Sequence, residues 1–244
     1  MSVGISEHIT IKIAGENALI IYFADTASAE VLAQVQEAER LIRLNMANEI
    51  IDLVPSYASI MVVFNLLEHD HHQIRRKLRS LLTGIKKSAK DSADNTKLVK
   101  LPVYYSTEVG PELSFIAEQA KLSIEQVIDL HQAQEYLVYA IGFAPGFAYL
   151  GEVDERIATP RLSSPRLKVP KGAVAIADRQ TAIYPEVSPG GWNIIGLCPV
   201  VMFDVNASPH MPVQVGDKVK FKAINKTEFL SLGGKLPVYG DILR

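Results

Sequence analysis

Between Arg166 and Asn193 the chain concentrates side chains that can hold an anion and a polarised carbonyl. Arg166 can grip a carboxylate or phosphate with a two-pronged fork, while Lys168 and Lys171 supply mobile point charges. Gln180, Thr181, Ser188 and Asn193 add neutral donors, and Tyr184 and Trp192 lie among them. Arg166, Lys171 and Gln180 are the candidates for catalytic work. Lys168, Thr181, Tyr184, Ser188, Trp192 and Asn193 are the candidates for substrate binding. Each also has a structural reading: Trp192 can plug the end of a barrel, and Arg166 can bridge loop carbonyls.

Other chemistry is poorly supported. There is no Gly-x-x-x-x-Gly-Lys-Ser/Thr phosphate loop, His-Glu-x-x-His pair, Cys-x-x-Cys or Gly-x-Ser-x-Gly elbow, which disfavours a self-contained ATPase or zinc hydrolase. His69, His71 and His72 flank a helix start, where adjacent side chains diverge, so no metal site is expected there. Cys198, the only cysteine, lies in the apolar run 194–200 and reads as a core residue. His131 falls in the last turn of an expected helix, where a structural role fits and a general base remains an alternative.

Glycine and proline shape the surrounding segments. Residues 142–151 read GFAPGFAYLG, residues 159–177 TPRLSSPRLKVPKGAVAIA, residues 180–185 QTAIYP and residues 188–196 SPGGWNIIG. Such runs are shaped loops leaving strands, and Gly190 and Gly191 are expected at positive φ. In type and order they resemble the family containing the B subunit of prokaryotic ATP-dependent 5-oxoprolinase, also described as the KipI or allophanate hydrolase subunit 1 family. The likeness is strong over residues 100–222. Departures are Ala148, where proline is expected, and Ala177-Asp178-Arg179, where relatives more often carry glycine.

The positioning elements follow from periodicity. Two alternating strands, 9–13 and 18–23, precede a helix capped by Ser28 with a stripe of Val31, Val35, Ala38 and Leu41 or Ile42. Strands 50–54 and 59–64 precede a second helix, capped by Asp70 and ending near 84–87. This order implies an α+β sandwich, loosely ferredoxin-like. Composition falls to small and charged residues over 86–96, so a boundary is expected there, with an N-terminal domain at 1–90 and a second at 91–244. Beyond strand 98–105, Pro111 opens a short helix, and Ser123 with Gln126 caps another. Short apolar runs at 136–143, 173–177, 181–184, 200–205 and 218–221 then argue a closed β-barrel. The resemblance implies that it is cyclophilin-like.

Charge and length bound the rest. The 244 residues suffice for two domains and carry a net charge of -2. Residues 1–70 hold 3 basic and 10 acidic side chains, and residues 71–100 hold 9 basic and 2 acidic. Arg75, Arg76, Lys77 and Arg79 alternate with apolar residues at helical spacing, which reads as a solvated helix face or a docking surface for an acidic partner. Nucleic acid is a poor fit without stacking aromatics. A single cysteine, no signal peptide and no membrane-length apolar run give the expectation of a cytoplasmic protein.

The resemblance implies one component of an enzyme that opens 5-oxoproline to glutamate with ATP and magnesium. Partners implied are a larger cyclophilin-like barrel of the KipA type and a third, metal-dependent component of the LamB type, with the active site shared with the larger barrel. Two other readings stay open: a regulator that inhibits a sensor histidine kinase, and a component of a urea- or allophanate-degrading enzyme.

Overall fold

The computed structural model describes residues 9–83, 85 and 97–237. The chain divides into two compact units, Met1–Thr96 and Lys97–Arg244. The expected junction at 86–97 lies outside the described residues, apart from Lys97.

The first unit runs β1 (Thr10–Gly15), β2 (Ala18–Tyr22), α1 (Ala29–Asn45), β3 (Ile50–Ser56), β4 (Ser59–Phe64) and α2 (His71–Leu82). Ser28 starts α1 by accepting the Val31 N–H at 3.2 Å. Asp70 and Gln73 cap α2 reciprocally, satisfying two of the donors a helix start leaves open. The sheet is antiparallel, in the order β1-β2-β4-β3. Period-two alternation buries Leu19, Ile21, Ile60, Val62 and Phe64, and both helices lie against this sheet. Leu32, not Val31, joins Val35, Ala38 and Ile42 on the buried stripe of α1.

This is an α+β sandwich, but its ββαββα order is not the βαββαβ order of a ferredoxin-like fold. Each helix here follows a hairpin instead of crossing between parallel strands, and that part of the expectation is corrected.

The second unit runs β5 (Leu98–Tyr105), α3 (Leu113–Ala120), α4 (Ile124–Ala133), β6 (Tyr136–Ile141), β7 (Ala148–Gly151), β8 (Arg166–Val169), β9 (Ala173–Ala177), β10 (Gln180–Ile183), β11 (Ser188–Gly190), β12 (Asn193–Leu197), β13 (Lys218–Ile224) and α5 (Lys226–Ser231). Seven strands close a barrel in the order β10-β7-β6-β13-β5-β12-β9. Only β5 and β13 run parallel. All seven strands contribute to one buried cluster, which also takes Leu113, Ile116 and Ala117 from α3 and Val127 from α4. Each fully buried Ile, Leu or Phe contributes about 1.5–3 kcal/mol to that interior.

Strand β9 is buried on both faces. Val174 and Ile176 face the barrel cluster, and Ala173, Ala175 and Ala177 face a second cluster with Phe147, Tyr184 and Trp192. The small alanines let bulky loop residues approach the wall. One expected strand is absent: residues 200–205 form no strand. There the Asp204 carboxylate accepts the Asn206 N–H at 2.9 Å, and this local turn competes with a ladder.

Candidate functional site

The signature segments converge on the outer side of the barrel. Phe147 is the hub, with ring centroids 5.3 Å from Phe143, 5.2 Å from Tyr184 and 5.6 Å from Trp192. Arg161 stands over the Trp192 ring at 5.7 Å, within cation–π range. The Leu162 N–H donates to the Gly191 carbonyl at 2.7 Å, tying the 160s loop to the 190s loop. Phe143 holds φ at 71°, uncommon for a bulky residue, and remains 65% exposed.

Strands β8 and β11 form an antiparallel ribbon outside the barrel sheet, with Ser188 opposite Val169 and Gly190 opposite Arg166. This arm carries the cations. Lys168 is exposed and Leu167 beside it is 78% exposed. Lys171, just past β8, pairs with Glu186, and the neighbouring Val187 is 58% exposed.

Arg166 is instead largely buried. It pairs with Glu112 at the start of α3, and both side chains are only 11% exposed. The second carboxylate oxygen of Glu112 accepts the Ile194 N–H at 2.8 Å. One glutamate thus ties the arm, the start of α3 and β12 together. Sequence reasoning missed Glu112, because its partner lies 54 residues away and no local pattern marks it.

The neutral candidates are largely spent inside the protein. Asn193 has no exposed surface and donates to the carbonyls of Pro160 at 2.9 Å and Ile176 at 3.1 Å. Its Oδ1 and the Ser188 hydroxyl are buried without a partner among the described residues. Tyr184 is buried and accepts the Trp192 N–H, and desolvation pushes its hydroxyl up to about 12. Gln180 lies half-buried on β10, opposite Ala177 and Gly151.

Thr181 belongs to a buried chain. Its hydroxyl donates to the Ala175 carbonyl at 3.0 Å, so it can only accept from His131 Nε2, 2.9 Å away. His131 Nδ1 is thereby an acceptor for the Tyr105 hydroxyl at 2.7 Å. The Tyr136 hydroxyl donates to the His131 carbonyl at 2.7 Å, and Phe221 stacks on the imidazole at 4.6 Å. Burial alone drives the His131 pKa down to about 3, so the ring stays neutral. It is a structural histidine.

Gly190 and Gly191 do not have positive φ, which corrects the expectation; Gly172 does, at 83°. Gly190 is needed for space instead, since an added Cβ would come within 2.3 Å of the Tyr184 hydroxyl. Asp178 adopts φ 52° in the turn from β9 to β10, a conformation Asp tolerates better than most residues. Burial raises the Cys198 thiol to about 12, which makes it a poor nucleophile. His71 instead bonds the Gly15 carbonyl at 2.9 Å. Among the described residues no three His, Cys, Asp or Glu side chains are grouped to hold a metal.

Residues 9–213 match the family model described as carboxyltransferase domain, subdomain C and D. The chain is 36% identical over 225 residues to the B subunit of 5-oxoprolinase from Bacillus subtilis strain 168, covering 88% of this chain and 92% of that protein. The chain belongs to the family of 5-oxoprolinase B subunits. The crystal structure of TTHA0988 superposes with a TM-score of 0.75 at 29% identity over 94% of this chain, which spans only 41% of that longer chain. The K. lactis urea amidolyase matches at a TM-score of 0.72 and 15% identity, over 91% of this chain and 15% of that one, a likeness of fold alone. Membership in a family of enzyme subunits implies a complex with further subunits. No helix among the described residues is long and apolar enough to cross a membrane.

Proposed function

We propose that this chain is one component of an ATP-dependent 5-oxoprolinase, which opens 5-oxo-L-proline to L-glutamate at a site completed by a larger barrel subunit. The observation that carries this reading is the β8–β11 arm: cations set beside exposed Leu167 and Val187, in a chain that matches the B subunit of a 5-oxoprolinase along most of its length. Exposed apolar side chains around charged ones suit a surface that a partner covers.

The reaction needs activation because a lactam carbonyl is a poor electrophile. Transfer of the γ-phosphoryl group of ATP to the lactam oxygen opens the ring carbon to water. Cleavage of the C–N bond then leaves an acyl phosphate, and a second water releases phosphate and the new carboxylate. Lys168 and Lys171 are assigned to the phosphate and the substrate carboxylate, and Gln180 to the lactam oxygen. Arg166, through Glu112, holds β8 in place, while Thr181, Tyr184, Trp192 and Asn193 form the wall behind it and Ser188 the outer strand. Magnesium is assigned to the triphosphate and the partner subunits, since the described residues do not fit a metal set.

The test is reconstitution. The purified chain alone is expected to hydrolyse neither ATP nor 5-oxoproline. Glutamate should form only after adding the larger KipA-type barrel and the LamB-type component with ATP and magnesium. Activity from this chain alone would remove the shared site, and tight binding to a sensor histidine kinase with no activity from the full set would replace the enzyme by the regulator.

A further inference from the structure

A second concentration of charge lies on the barrel away from the signature segments in sequence. Lys218, Lys220 and Lys222 alternate with buried Val219 and Phe221 along β13, which sets their side chains on the outer face. In the parallel pairing with β5, Lys220 lies directly opposite Lys100. Like charges facing across a ladder are destabilising, and fold alone supplies no reason to keep them. Lys218 is neutralised by Glu135 at 3.1 Å. Lys100, Lys220 and Lys222 make no ion pair among the described residues, and they line one groove with Leu98, Gln132 and Glu135.

The groove exists because β13 pairs with β6 only at Lys218 and Val219. Beyond that point α4 packs on β13, and the Gln132 amide oxygen accepts the Ala223 N–H at 3.1 Å. The Gln132 amide nitrogen is committed as well, donating to Asp129 at 3.0 Å. Glu135 is engaged by Lys218, and the last turn of α4 contributes only about half a negative charge. Neither balances three ammonium groups.

We propose that this groove binds a compact oligophosphate anion, with Lys100, Lys220 and Lys222 supplying the charge. Adjacent strands lie about 4.8 Å apart and alternate residues on one strand about 6.6 Å apart. The three lysines therefore occupy a triangle within about one Debye length at 0.1 M salt. Such a two-dimensional cluster suits a small anion of high charge better than an extended acidic peptide, whose carboxylates are spaced along a line. Lysine is a natural point-charge partner for phosphate. The anion can be free oligophosphate or the phosphate tail of a nucleotide. Binding here is a property of this chain alone and stands independently of the lactamase reading.

The experiment is calorimetric titration of the full chain at low salt with tripolyphosphate and, separately, ATP. Tripolyphosphate is expected to bind and to weaken steeply as salt rises to about 0.2 M. Lys100→Gln with Lys220→Gln should weaken it at least about tenfold, whereas Lys12→Gln in the first unit should not. Lys222→Gln alone gives a smaller loss and serves if the double variant melts early. Competition between ATP and tripolyphosphate marks the nucleotide tail as a source; tripolyphosphate binding without ATP binding marks the free anion. The proposal is overturned if tripolyphosphate does not bind, if folded variants bind it as the parent does, or if a polyglutamate peptide binds the groove and tripolyphosphate does not displace it. The enzyme reading fails separately, on the glutamate assay with all subunits present.

Discussion

The barrel wall behind the signature segments and the arm in front of it use their polar groups in opposite ways. Behind, Thr181, His131 and Tyr105 form a directional hydrogen-bond chain, and both amide hydrogens of Asn193 are spent on carbonyls. In front, Lys168 is exposed and Lys171 meets Glu186 only at the surface. A polar residue in a recognisable motif is therefore not automatically a ligand. Burial decides whether its donors still have work to give.

The largest effect should come from the wall. Gly172 has φ 83°, and an added Cβ would lie 2.4 Å from the Cys198 carbonyl oxygen. Gly172→Val thus combines a backbone clash with a disfavoured conformation, costing more than about 5 kcal/mol. Little soluble, cooperatively folding protein is expected by circular dichroism. A stable Gly172→Val variant would mean that the wall is softer than its close packing implies.

Arg166 sits where the two regions meet, and it comes next. Removing it leaves the Glu112 carboxylate buried without its cation, which typically costs about 3–5 kcal/mol. Urea denaturation of Arg166→Ala should show that loss, and Arg166→Met combined with Glu112→Met should recover part of it. A variant as stable as the parent would move Arg166 from the wall to the arm and restore it as a ligand for substrate.

The wall also has a pH signature. His131 drops from an ordinary 6.5 to about 3 on folding, so between those values the unfolded chain binds a proton that the folded chain refuses. Its contribution is complete above about pH 6.5 and is lost as pH falls toward 3, by about 1.4 kcal/mol per pH unit at most. His131→Phe should be less stable at neutral pH, because the Tyr105 hydroxyl loses its acceptor, yet show a shallower loss in acid. Equal slopes for the two proteins between pH 6 and 4 would exclude the histidine as the acid-sensitive element.

Legibility in the sequence followed the range of the interaction. Caps at Ser28, Asp70 and Ser123 act within three residues, and all three stand where local reading put them. Strand β9 coincides with the apolar run 173–177. By contrast, the apolar run at 200–205 looked like a strand, and only the Asp204 turn shows why it is not. Gly190 shows the same limit: its type was legible as a constraint, but the cause is a tyrosine hydroxyl six residues back in sequence and across a turn. Within the candidate site, the cations could be named from sequence. That Arg166 is answered by Glu112 and Thr181 by His131 required the fold, because those partners are 54 and 50 residues away.

The smallest effect on stability belongs to the arm, and there the comparison is sharpest. Lys168→Gln removes an exposed charge and Lys171→Gln breaks a surface pair with Glu186, so each should change stability by no more than about 0.5–1 kcal/mol. In the assembled enzyme, each should instead raise KM for ATP or 5-oxoproline, or lower kcat, by about tenfold, as expected for losing one charge-assisted contact of about 1.4 kcal/mol. The pairing makes the two variants unequal: Lys171 has to leave Glu186 to reach a ligand, whereas Lys168 does not. Lys168→Gln should therefore show the greater kinetic loss, and Glu186→Gln, which frees Lys171, should leave turnover intact or improve it. Melting curves and steady-state kinetics on the same preparations separate the outcomes. Unchanged kinetics in both lysine variants would leave the arm as a docking surface and place the anion-holding groups on the partner barrel.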